Sequence, residues 1–398
     1  MTSTGPFRLI NAVLAHDGPV RCVTLGPNNE IVTGCQSDAP TVRRWIENGD
    51  SWEEVGESIL HDHWVTAATS LKPDISREFY TEGCIITGCQ DSNIRIFNPD
   101  GVLQQTLQGH SKGVVSFSWT ATHQLVSGSW DGTAKIWDLS TSTCIQTLGP
   151  HENGVQVLVL SNNLIATVST GESIQGKPAN FKLRFWDAET GQQVGNAIED
   201  HQGSIRCLAP LPMIDGFATT SNDGTVMLRT SEGHVIDIMQ HPVQEDGASP
   251  FVFNCCALDT EGGMDIVSCA DDGSVLVWSG AELVQSIQHP CCVWAVKALS
   301  GGDFLTCGDD GFIRFFSQNP DLIHTTRVDS LNNELMLSVL EMEKRKKTGP
   351  SSEEIAKAPR WEDRGGILGK SADQVMVFNK EGSLIAAQWI SGSWVIVG

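Results

Sequence analysis

The stretch SGSWDGTAKIWD, residues 127–138, is the clearest copy of a unit that returns along most of the chain. In the best copies an aspartate stands six positions before an aromatic residue, as in Asp131/Trp137, Asp91/Phe97, Asp272/Trp278 and Asp310/Phe316. Weaker copies are Asp223/Arg229, which lacks the aromatic residue, Asn180/Trp186, which lacks the acid after an insertion, and Asp38/Trp45, which has one extra position. A unit repeated at near-constant spacing restricts the chain to a repeat architecture.

A histidine precedes each copy, and in six cases an apolar residue follows it four positions later. These histidines are His16, His61, His110, His151, His201, His241 and His289. The loop after His241 is expanded before the string PFVFNCC. Seven units therefore fit between residues 7 and 318.

The best unit, LQGHSKGVVSFSWTATHQLVSGSWDGTAKIWDLST, resembles a WD repeat, with its Gly-His and Trp-Asp signatures and a period near 40 to 45 residues. Polar and apolar residues alternate in QLVSGSW and TAKIWD, and an Asp-Gly turn joins them, which is typical of a β-hairpin. The resemblance implies an all-β fold, a seven-bladed WD-repeat β-propeller with four strands in each blade.

The constellation His110, Asp131 and Trp137 could be taken for a catalytic one. In a propeller blade, however, a histidine, the turn aspartate and a strand hydroxyl can bond in series to the indole N–H and satisfy groups that would otherwise be buried unpaired. Because the set returns around the chain, we interpret it as a structural network. No catalytic residue is predicted.

The phase of the repeat predicts how the ring closes. The segment before each histidine forms the outer strand of the preceding blade, but the N-terminal FRLINAVLAH has no blade before it. The last unit supplies only three strands, ending near Ser317. We therefore expect residues 7–14 to complete the seventh blade and to cover its exposed edge.

Beyond residue 318 the pattern changes. From Asp329 to Lys347 apolar residues follow a helical spacing, at Leu331, Leu335, Val339 and Met342. The basic run at residues 344–347 is compatible with a nuclear-localisation or phosphate patch, but we favour a helix C-terminal cap. The expected domains are the propeller (1–318), a helix with a flexible linker (319–372) and a partial β-meander (373–398).

Charge and composition limit the classes of partner that the chain is expected to bind. The net charge is −22, and residues 1–320 carry 37 acidic and 16 basic side chains. That field repels nucleic acid and favours a partner with a basic face, although it also serves solubility. No apolar run reaches the roughly 18 residues that span a bilayer, and no signal peptide is evident. We expect no membrane contact and a location in cytoplasm and nucleus.

The chemistry of the side chains points away from catalysis. The twelve cysteines lie in apolar runs or doublets without a CxxC motif, so we expect buried free thiols and no metal site. Residues 128–132 read G-S-W-D-G rather than GxSxG, and HExxH, a P-loop and a GxGxxG before a helix are missing. The sequence predicts no enzyme and no cofactor.

A narrower resemblance covers nearly the whole chain. The strings LAHDGPVRCV, GSWDGTAKIW and DDGFIRFFSQ, followed by a helix, a linker and GSLIAAQWISGSWVIVG, are similar to the phospholipase A2-activating protein (PLAA) family. The last string looks like the first strands of the family's ubiquitin-binding PFU domain. The resemblance implies a non-enzymatic adaptor that binds ubiquitin or ubiquitylated proteins, in part through its propeller.

The same resemblance implies that the protein acts as an adaptor for the AAA+ segregase valosin-containing protein. In the family a C-terminal PUL domain binds that segregase, so contact is expected only through a domain that this chain does not include. The PFU-like part is incomplete as well. The alternative is a generic WD-repeat scaffold that binds peptide motifs in an unrelated complex.

The candidate ubiquitin-binding residues lie beside the repeat anchors, on the face formed by the histidine loops and the aspartate turns, here called the narrow face. The position that follows the inward apolar residue is expected to line the central opening, at Arg21, Thr66, Val115, Gln156, Arg206, Asn254 and Trp294. The residues before the turn aspartates are Gln90, Trp130, Asn222, Asp271 and Asp309, and the loop residues are Asp17, Trp64 and Lys112. The nine chosen are Asp17, Arg21, Trp64, Lys112, Trp130, Arg206, Asn222, Trp294 and Asp309.

The order of preference within this set follows from chemistry and from the resemblance. Trp64 and Trp130 are not needed for the polar network, and large aromatic side chains on an exposed rim are typical interface anchors. Asp17 leads because family members tend to place an acid after the first histidine.

Overall fold

The chain folds into a ring of seven antiparallel sheets followed by a helix and three further strands. The computed structural model describes residues 5–49, 51–76, 79–170, 181–244, 247–260, 263–323, 326–348, 374–378, 384–390 and 393–397. Six of the sheets contain strands in sequence order, with a short extra strand that pairs with the third strand of the first sheet, and the seventh is completed by the N-terminal strand. The predicted seven-bladed WD-repeat propeller is confirmed.

The strands of the blades follow one another along the chain. Blade 1 contains β2 Val20–Leu25, β3 Ile31–Cys35, β4 Thr41–Asn48, β5 Ser51–Glu54 and the extra strand β6 Ile59–Leu60. Blade 2 contains β7 Val65–Leu71, β8 Cys84–Cys89, β9 Ile94–Phe97 and β10 Leu103–Leu107. Blade 3 contains β11 Val114–Trp119, β12 Leu125–Ser129, β13 Ala134–Asp138 and β14 Thr143–Leu148. Blade 4 contains β15 Gly154–Val159, β16 Leu164–Thr170, β17 Leu183–Asp187 and β18 Gln193–Ile198.

The last three blades include two short 3₁₀ turns, at Pro212–Ile214 and Ser300–Gly302. Blade 5 contains β19 Ile205–Leu211, β20 Gly216–Ser221, β21 Thr225–Thr230 and β22 Val235–Gln240. Blade 6 contains β23 Val252–Thr260, β24 Gly263–Ala270, β25 Ser274–Ser279 and β26 Glu282–Gln288. Blade 7 contains β27 Val293–Ala298, β28 Phe304–Gly308, β29 Phe312–Ser317 and, from the N-terminus, β1 Arg8–Leu14.

The first strand of each blade packs against the first strand of both neighbouring blades. These contacts join β2, β7, β11, β15, β19, β23 and β27 in an unbroken circle around a central channel. The core lies between adjacent sheets, as where Ile86 and Ile96 of blade 2 meet Val114 and Trp137 of blade 3. Each sheet thus packs against a neighbour on both faces, and its middle strands are buried throughout, as in CIITGC of β8 and LVSGS of β12.

The N-terminal strand closes the ring as predicted. Strand β1 pairs antiparallel with β29, from Arg8 opposite Ser317 to Leu14 opposite Phe312. The first and last parts of the propeller are therefore held in one sheet, which ties the two ends of the ring together.

A helix follows the propeller, after a single helical turn, α1 Pro320–Ile323. Helix α2 Thr326–Thr348 begins three residues before the predicted span and ends one residue after it. Its residues Leu331 and Leu335 pack against the core around Leu9, and Val339 is buried. The side chains of Met342 and of the basic run at 344–347 lie outside the described residues. None of the described helices is long and apolar enough to cross a membrane.

Three strands close the described chain, β30 Gln374–Phe378, β31 Leu384–Ile390 and β32 Ser393–Val397. They pair antiparallel in the order β30-β31-β32, which is a β-meander. The predicted linker at residues 349–372 lies outside the described residues. That the meander begins a PFU-like domain stays a prediction, as do the domain boundaries.

Candidate functional site on the narrow face

A buried hydrogen-bond network anchors each blade, and it accounts for the repeated histidine. In blade 3, His110 Nε2 lies 2.8 Å from Ser127 Oγ, and Trp137 Nε1 donates to the same oxygen at 2.8 Å. The same histidine–hydroxyl contact, 2.7–3.1 Å long, occurs in the other six blades, in the pairs His16–Thr33, His61–Thr87, His151–Thr167, His201–Thr219, His241–Ser268 and His289–Thr306. Side chains of the predicted constellation therefore satisfy one another.

The aspartate completes this network in only two blades among the contacts described. His110 Nδ1 lies 2.8 Å from Asp131 Oδ2, and His201 Nδ1 lies 2.9 Å from Asp223 Oδ2. In blades 2 and 7 the turn aspartate instead pairs with an arginine four residues later, as Asp91–Arg95 and Asp310–Arg314. In these two blades the arginine, two positions before the aromatic residue, binds the carboxylate that the histidine binds in blades 3 and 5.

The electrostatics of Asp131 fit a structural role. Burial raises the pKa of this carboxyl, but hydrogen bonds from Thr133, from the Ser111 N–H and from His110 outweigh burial and lower the pKa to about 2. Burial is also the main reason why the pKa of His110 is lowered. At neutral pH the aspartate is thus charged and fully engaged, and the histidine is neutral.

Backbone hydrogen bonds bring each histidine loop and the following turn to the same end of the blade. The N–H of the residue before the turn aspartate donates to a loop carbonyl in five blades, in the pairs Gln90–Trp64, Trp130–Gly113, Asn222–Ser204, Asp271–Phe251 and Asp309–Cys292. The turn also reaches the next blade, because the His151 N–H donates to the carbonyl of Gly132. At φ +83°, a Cβ on Gly132 would stand 2.6 Å from the His151 carbonyl oxygen, so glycine is required there.

The exposed candidates form an outer set on the narrow face. Asp17 and Lys112 are exposed in their loops, and Trp64 is half-buried. Trp130 is 37% exposed, and its ring covers two glycines: a Cβ on Gly113 would lie 2.6 Å from it, and a Cβ on Gly154 2.7 Å. The absence of side chains at those two positions leaves room for the indole between blades 3 and 4.

Five inner candidates meet in one cluster at the mouth of the channel. The guanidinium carbon of Arg21 lies 3.5 Å from the centre of the Trp294 ring, and Trp294 Nε1 donates to Asp309 Oδ1 at 2.9 Å. Arg206 Nε donates to Asn222 Oδ1 at 2.7 Å.

A residue outside the candidate set, Phe253, joins the two halves. Its ring stacks on Trp294 with 4.5 Å between centroids, and the guanidinium carbon of Arg206 lies 5.5 Å from it. We call Arg21, Arg206, Asn222, Phe253, Trp294 and Asp309 the channel cluster. It spans blades 1, 7, 6 and 5.

The position of Phe253 corrects the expectation for blade 6. In six blades the first strand carries a β-bulge immediately after its inward apolar residue, at Arg21, Thr66, Val115, Arg206, Phe253 and Trp294. In blade 6 the inward residue is Val252, so Phe253 and not Asn254 occupies the equivalent position. A bulge residue is left out of the ladder and its side chain is re-aimed, here towards the channel.

The expanded loop before blade 6 hid this register, because the count from His241 no longer applies. An alignment of strands would have found the register. Aligning Val252 in FVFNCC with Val20, the apolar residue before Arg21, places Phe253 at the position of Arg21.

Burial shifts the pKa values of charged residues at the mouth of the channel. Burial lowers the pKa of Arg21 and raises that of Asp309, although the Trp294 hydrogen bond and the Arg21 charge oppose the rise. Burial also raises the pKa of Asp271, the residue before the blade 6 turn, to about 6. In the part of the chain that the structure describes, no group of histidine, cysteine and carboxylate ligands could hold a metal ion. All twelve cysteines are free, and ten of them are buried.

Comparison with known proteins supports the WD-repeat assignment. The family model "WD domain, G-beta repeat" matches residues 101–138, 241–279 and 281–317. Ubiquitin homeostasis protein lub1 of Schizosaccharomyces pombe is 27% identical over 332 residues, 81% of this chain and 41% of that protein. Phospholipase A-2-activating protein of Xenopus laevis is 31% identical over 155 residues, 37% of this chain and 18% of that protein.

A solved structure supports the fold. The crystal structure of the WD40 β-propeller domain of Doa1 superposes with a TM-score of 0.64 at 24% identity, and the match covers 80% of this chain and 99% of that one. The present chain spans about two fifths of the length of the fission yeast relative.

Proposed function

This chain is a WD40-repeat propeller with homologues in the phospholipase A2-activating protein family, and we propose that it is a non-enzymatic adaptor that binds ubiquitin on its narrow face. A homologue named for ubiquitin homeostasis aligns over 81% of the chain, which supports the choice of ligand. The observation that carries the choice of surface is Trp130, an exposed indole that packs against two glycines.

The chemistry of the outer set suits ubiquitin, which offers an apolar patch ringed by basic side chains. Trp130 and Trp64 supply the apolar contact, and Asp17 supplies a carboxylate for the basic ring. The excess negative charge of the propeller attracts a partner with a basic surface. The inner candidates Arg21, Arg206, Asn222, Trp294 and Asp309 are half-buried and stay predictions for the same face.

The proposal assigns no reaction to the chain. The histidines and aspartates that could act as acid and base are engaged in the blade networks. Contact with the AAA+ segregase is proposed only through a further C-terminal domain, as the resemblance implies.

The test is a titration of ¹⁵N-labelled ubiquitin with the full 398-residue chain, following the amide shifts of ubiquitin. We expect shifts confined to the apolar patch, and at least a tenfold higher Kd for Asp17→Arg and Trp130→Ala, which corresponds to about 1.4 kcal/mol. The matched control is Asp237→Arg, the same charge change on the exposed outer strand of blade 5.

Two results would contradict the proposal. An equal loss with Asp237→Arg would mean that net charge and not the narrow face governs binding. No shifts at millimolar protein would leave the generic peptide-binding scaffold as the better account.

A further inference from the structure

The channel cluster contains a guanidinium without a hydrogen-bond acceptor. Arg21 lies against the Trp294 ring, and no hydrogen bond of its side chain is found among the residues that the structure describes. Other arginines of the propeller have acceptors, since Arg95, Arg229 and Arg314 each pair with a carboxylate and Arg44 donates to two backbone carbonyls. Arg21 is half-buried, and none of its nitrogens is among the buried atoms that lack a partner, so its N–H donors face solvent. A guanidinium has five such donors, and those of Arg21 are open to an acceptor on a partner.

The neighbours of Arg21 define what an acceptor would meet. The charge of Arg206, on the far side of Phe253 and Trp294, is close enough to act on Arg21. Asp309 also acts on Arg21, but one of its oxygens is taken by the Trp294 indole. Two cations therefore flank two aromatic rings, on one side of the channel only. The equivalent positions of blades 2, 3 and 4 hold Thr66, Val115 and Gln156.

We propose that the channel cluster is a binding site for a single carboxylate carried on a protein partner, either an acidic side chain or a chain terminus. The carboxylate accepts hydrogen bonds from Arg21 and is attracted by Arg206, while its aliphatic stem packs on Trp294 and Phe253. Arginine forms its best hydrogen bonds with planar oxyanions of this kind. The inference goes beyond ubiquitin binding and does not depend on it.

A monoanion fits this site better than a phosphate dianion. Asp309 and Asp271 lie at the same end of the channel, close enough to act on Cys292, so a second negative charge on the ligand is repelled. A protruding group fits better than a flat protein surface. The cluster residues are half-buried in the channel, whereas Asp17, Lys112 and Trp130 on the outer face are exposed. The ligand is thus one side chain or one terminus that enters the mouth.

The test follows the Arg21 Nε–Hε resonance of the ¹⁵N-labelled full chain at about 0.15 M salt, where screening suppresses long-range repulsion. The probes are the acetylated, amidated pentapeptide GGEGG, its uncharged counterpart GGQGG, acetylated GGGGG with a free C-terminus, and inorganic phosphate. We expect GGEGG to shift the resonance in a saturable way and GGQGG to leave it unchanged. A stronger response to GGGGG would identify the chain terminus as the natural source.

Variants separate this site from general effects of charge. Arg206→Met is expected to raise the Kd for GGEGG at least tenfold, and Lys112→Met, which removes an exposed cation from the same face, is expected to leave it unchanged. Arg21→Met is expected to abolish binding followed by calorimetry, and Arg21→Lys, which keeps the charge without the planar fork, to weaken it while keeping the Tm.

Three outcomes would overturn the inference: GGQGG binds as well as GGEGG, Lys112→Met acts like Arg206→Met, or phosphate binds more tightly than either carboxylate. The ubiquitin titration is independent. GGEGG contains no part of ubiquitin, and Asp17→Arg should weaken ubiquitin binding while sparing GGEGG binding, so failure of one proposal is distinguishable from failure of the other.

Discussion

Residue 229 is arginine at the blade position where the best repeats hold tryptophan or phenylalanine. Its side chain is fully buried, and Nε donates to Thr219 Oγ1 at 3.1 Å in the manner of an indole N–H. The two terminal nitrogens donate to both oxygens of Asp200, at 2.7 and 2.8 Å. Burial raises the pKa of Asp200, but the hydrogen bonds and charge of Arg229 outweigh it and lower the pKa. A charged pair has thus replaced an aromatic ring.

Removal of Asp200 tests how far blade 5 depends on that pair. Asp200→Ala leaves a buried guanidinium unpaired, and we expect it to cost about 3 kcal/mol of unfolding free energy, measured by urea denaturation. The neighbouring change Glu199→Ala breaks only the exposed ion pair with Lys182, and it should cost less than about 1 kcal/mol. Equal costs for the two variants would contradict the argument.

The residue-scale predictions succeeded where the repeat itself carried the information. The histidine, the strand hydroxyl and the indole return in register, so their contact followed from the sequence. The ion pair of Arg229 with Asp200 could not be predicted from the sequence, because Asp200 lies 29 positions upstream and no pattern links the two residues. The candidate ubiquitin contacts stay predictions. What the structure adds is that Arg21 and Arg206 meet around Phe253, which depends on bulges that the sequence does not encode at one fixed spacing.

At the scale of elements, the outer edge of β1 is covered by two carboxamide side chains. Asn332 on α2 accepts the Leu9 N–H at 3.2 Å and donates to the Leu9 carbonyl at 2.9 Å. Gln285 on β26 makes the same pair of bonds with Phe7, both at 2.8 Å. Each amide reproduces the hydrogen bonds of a neighbouring strand, so an edge that could pair with another chain is blocked.

The contribution of this cover can be measured at one residue. Asn332→Ala leaves the Leu9 N–H and carbonyl without their partners, and we expect a loss of about 1–2 kcal/mol and faster hydrogen exchange along β1. Asn333→Ala is the matched control, since the next side chain on α2 is exposed. Unchanged exchange of β1 in Asn332→Ala would mean that the helix does not protect the edge.

The sequence predicted β1 and α2 as separate elements but not their contact. Helical spacing identified the apolar stripe, and the repeat phase identified the closing strand. Asn332 and Leu9 are 323 positions apart, and an asparagine among leucines carries no signal of its partner. Local patterns thus determine elements, whereas polar contacts between them depend on the assembled fold.

At the scale of the whole molecule, the ring repeats one buried contact seven times. A buried histidine bonds a strand hydroxyl in every blade, and burial is the main cause of a lowered pKa in six of them, His16, His61, His110, His151, His241 and His289. The pKa is lowered to about 3 in His16, His151 and His289 and to about 4 in His241. The repeat predicted these positions, but their common neutrality follows from packing between sheets and could not be read from spacing.

These histidines make stability depend on pH. Their folded pKa values lie below the unfolded value of 6.5, so the unfolded chain binds more protons between pH 6.5 and about 3, and stability falls as pH falls through that range. The lowered pKa of Asp131 affects stability at lower pH, because the stability that this carboxylate contributes is lost only as the pH falls below the unfolded value of 3.8. Histidine protonation should therefore weaken the ring before carboxylate protonation does.

Urea unfolding of the full chain at a series of pH values measures this effect. Each proton taken up on unfolding gives a slope of about 1.4 kcal/mol per pH unit, and we expect at least two protons near pH 5. His289 is fully buried and its Nδ1 finds no partner among the described residues. His289→Gln should therefore lower stability at pH 7 and also reduce the slope by about one proton, which a purely steric role would not do. Constant stability from pH 7 to 5 would show that the histidines are not buried in neutral form. The hydrogen-bond network of each blade would then have to accommodate a charged histidine.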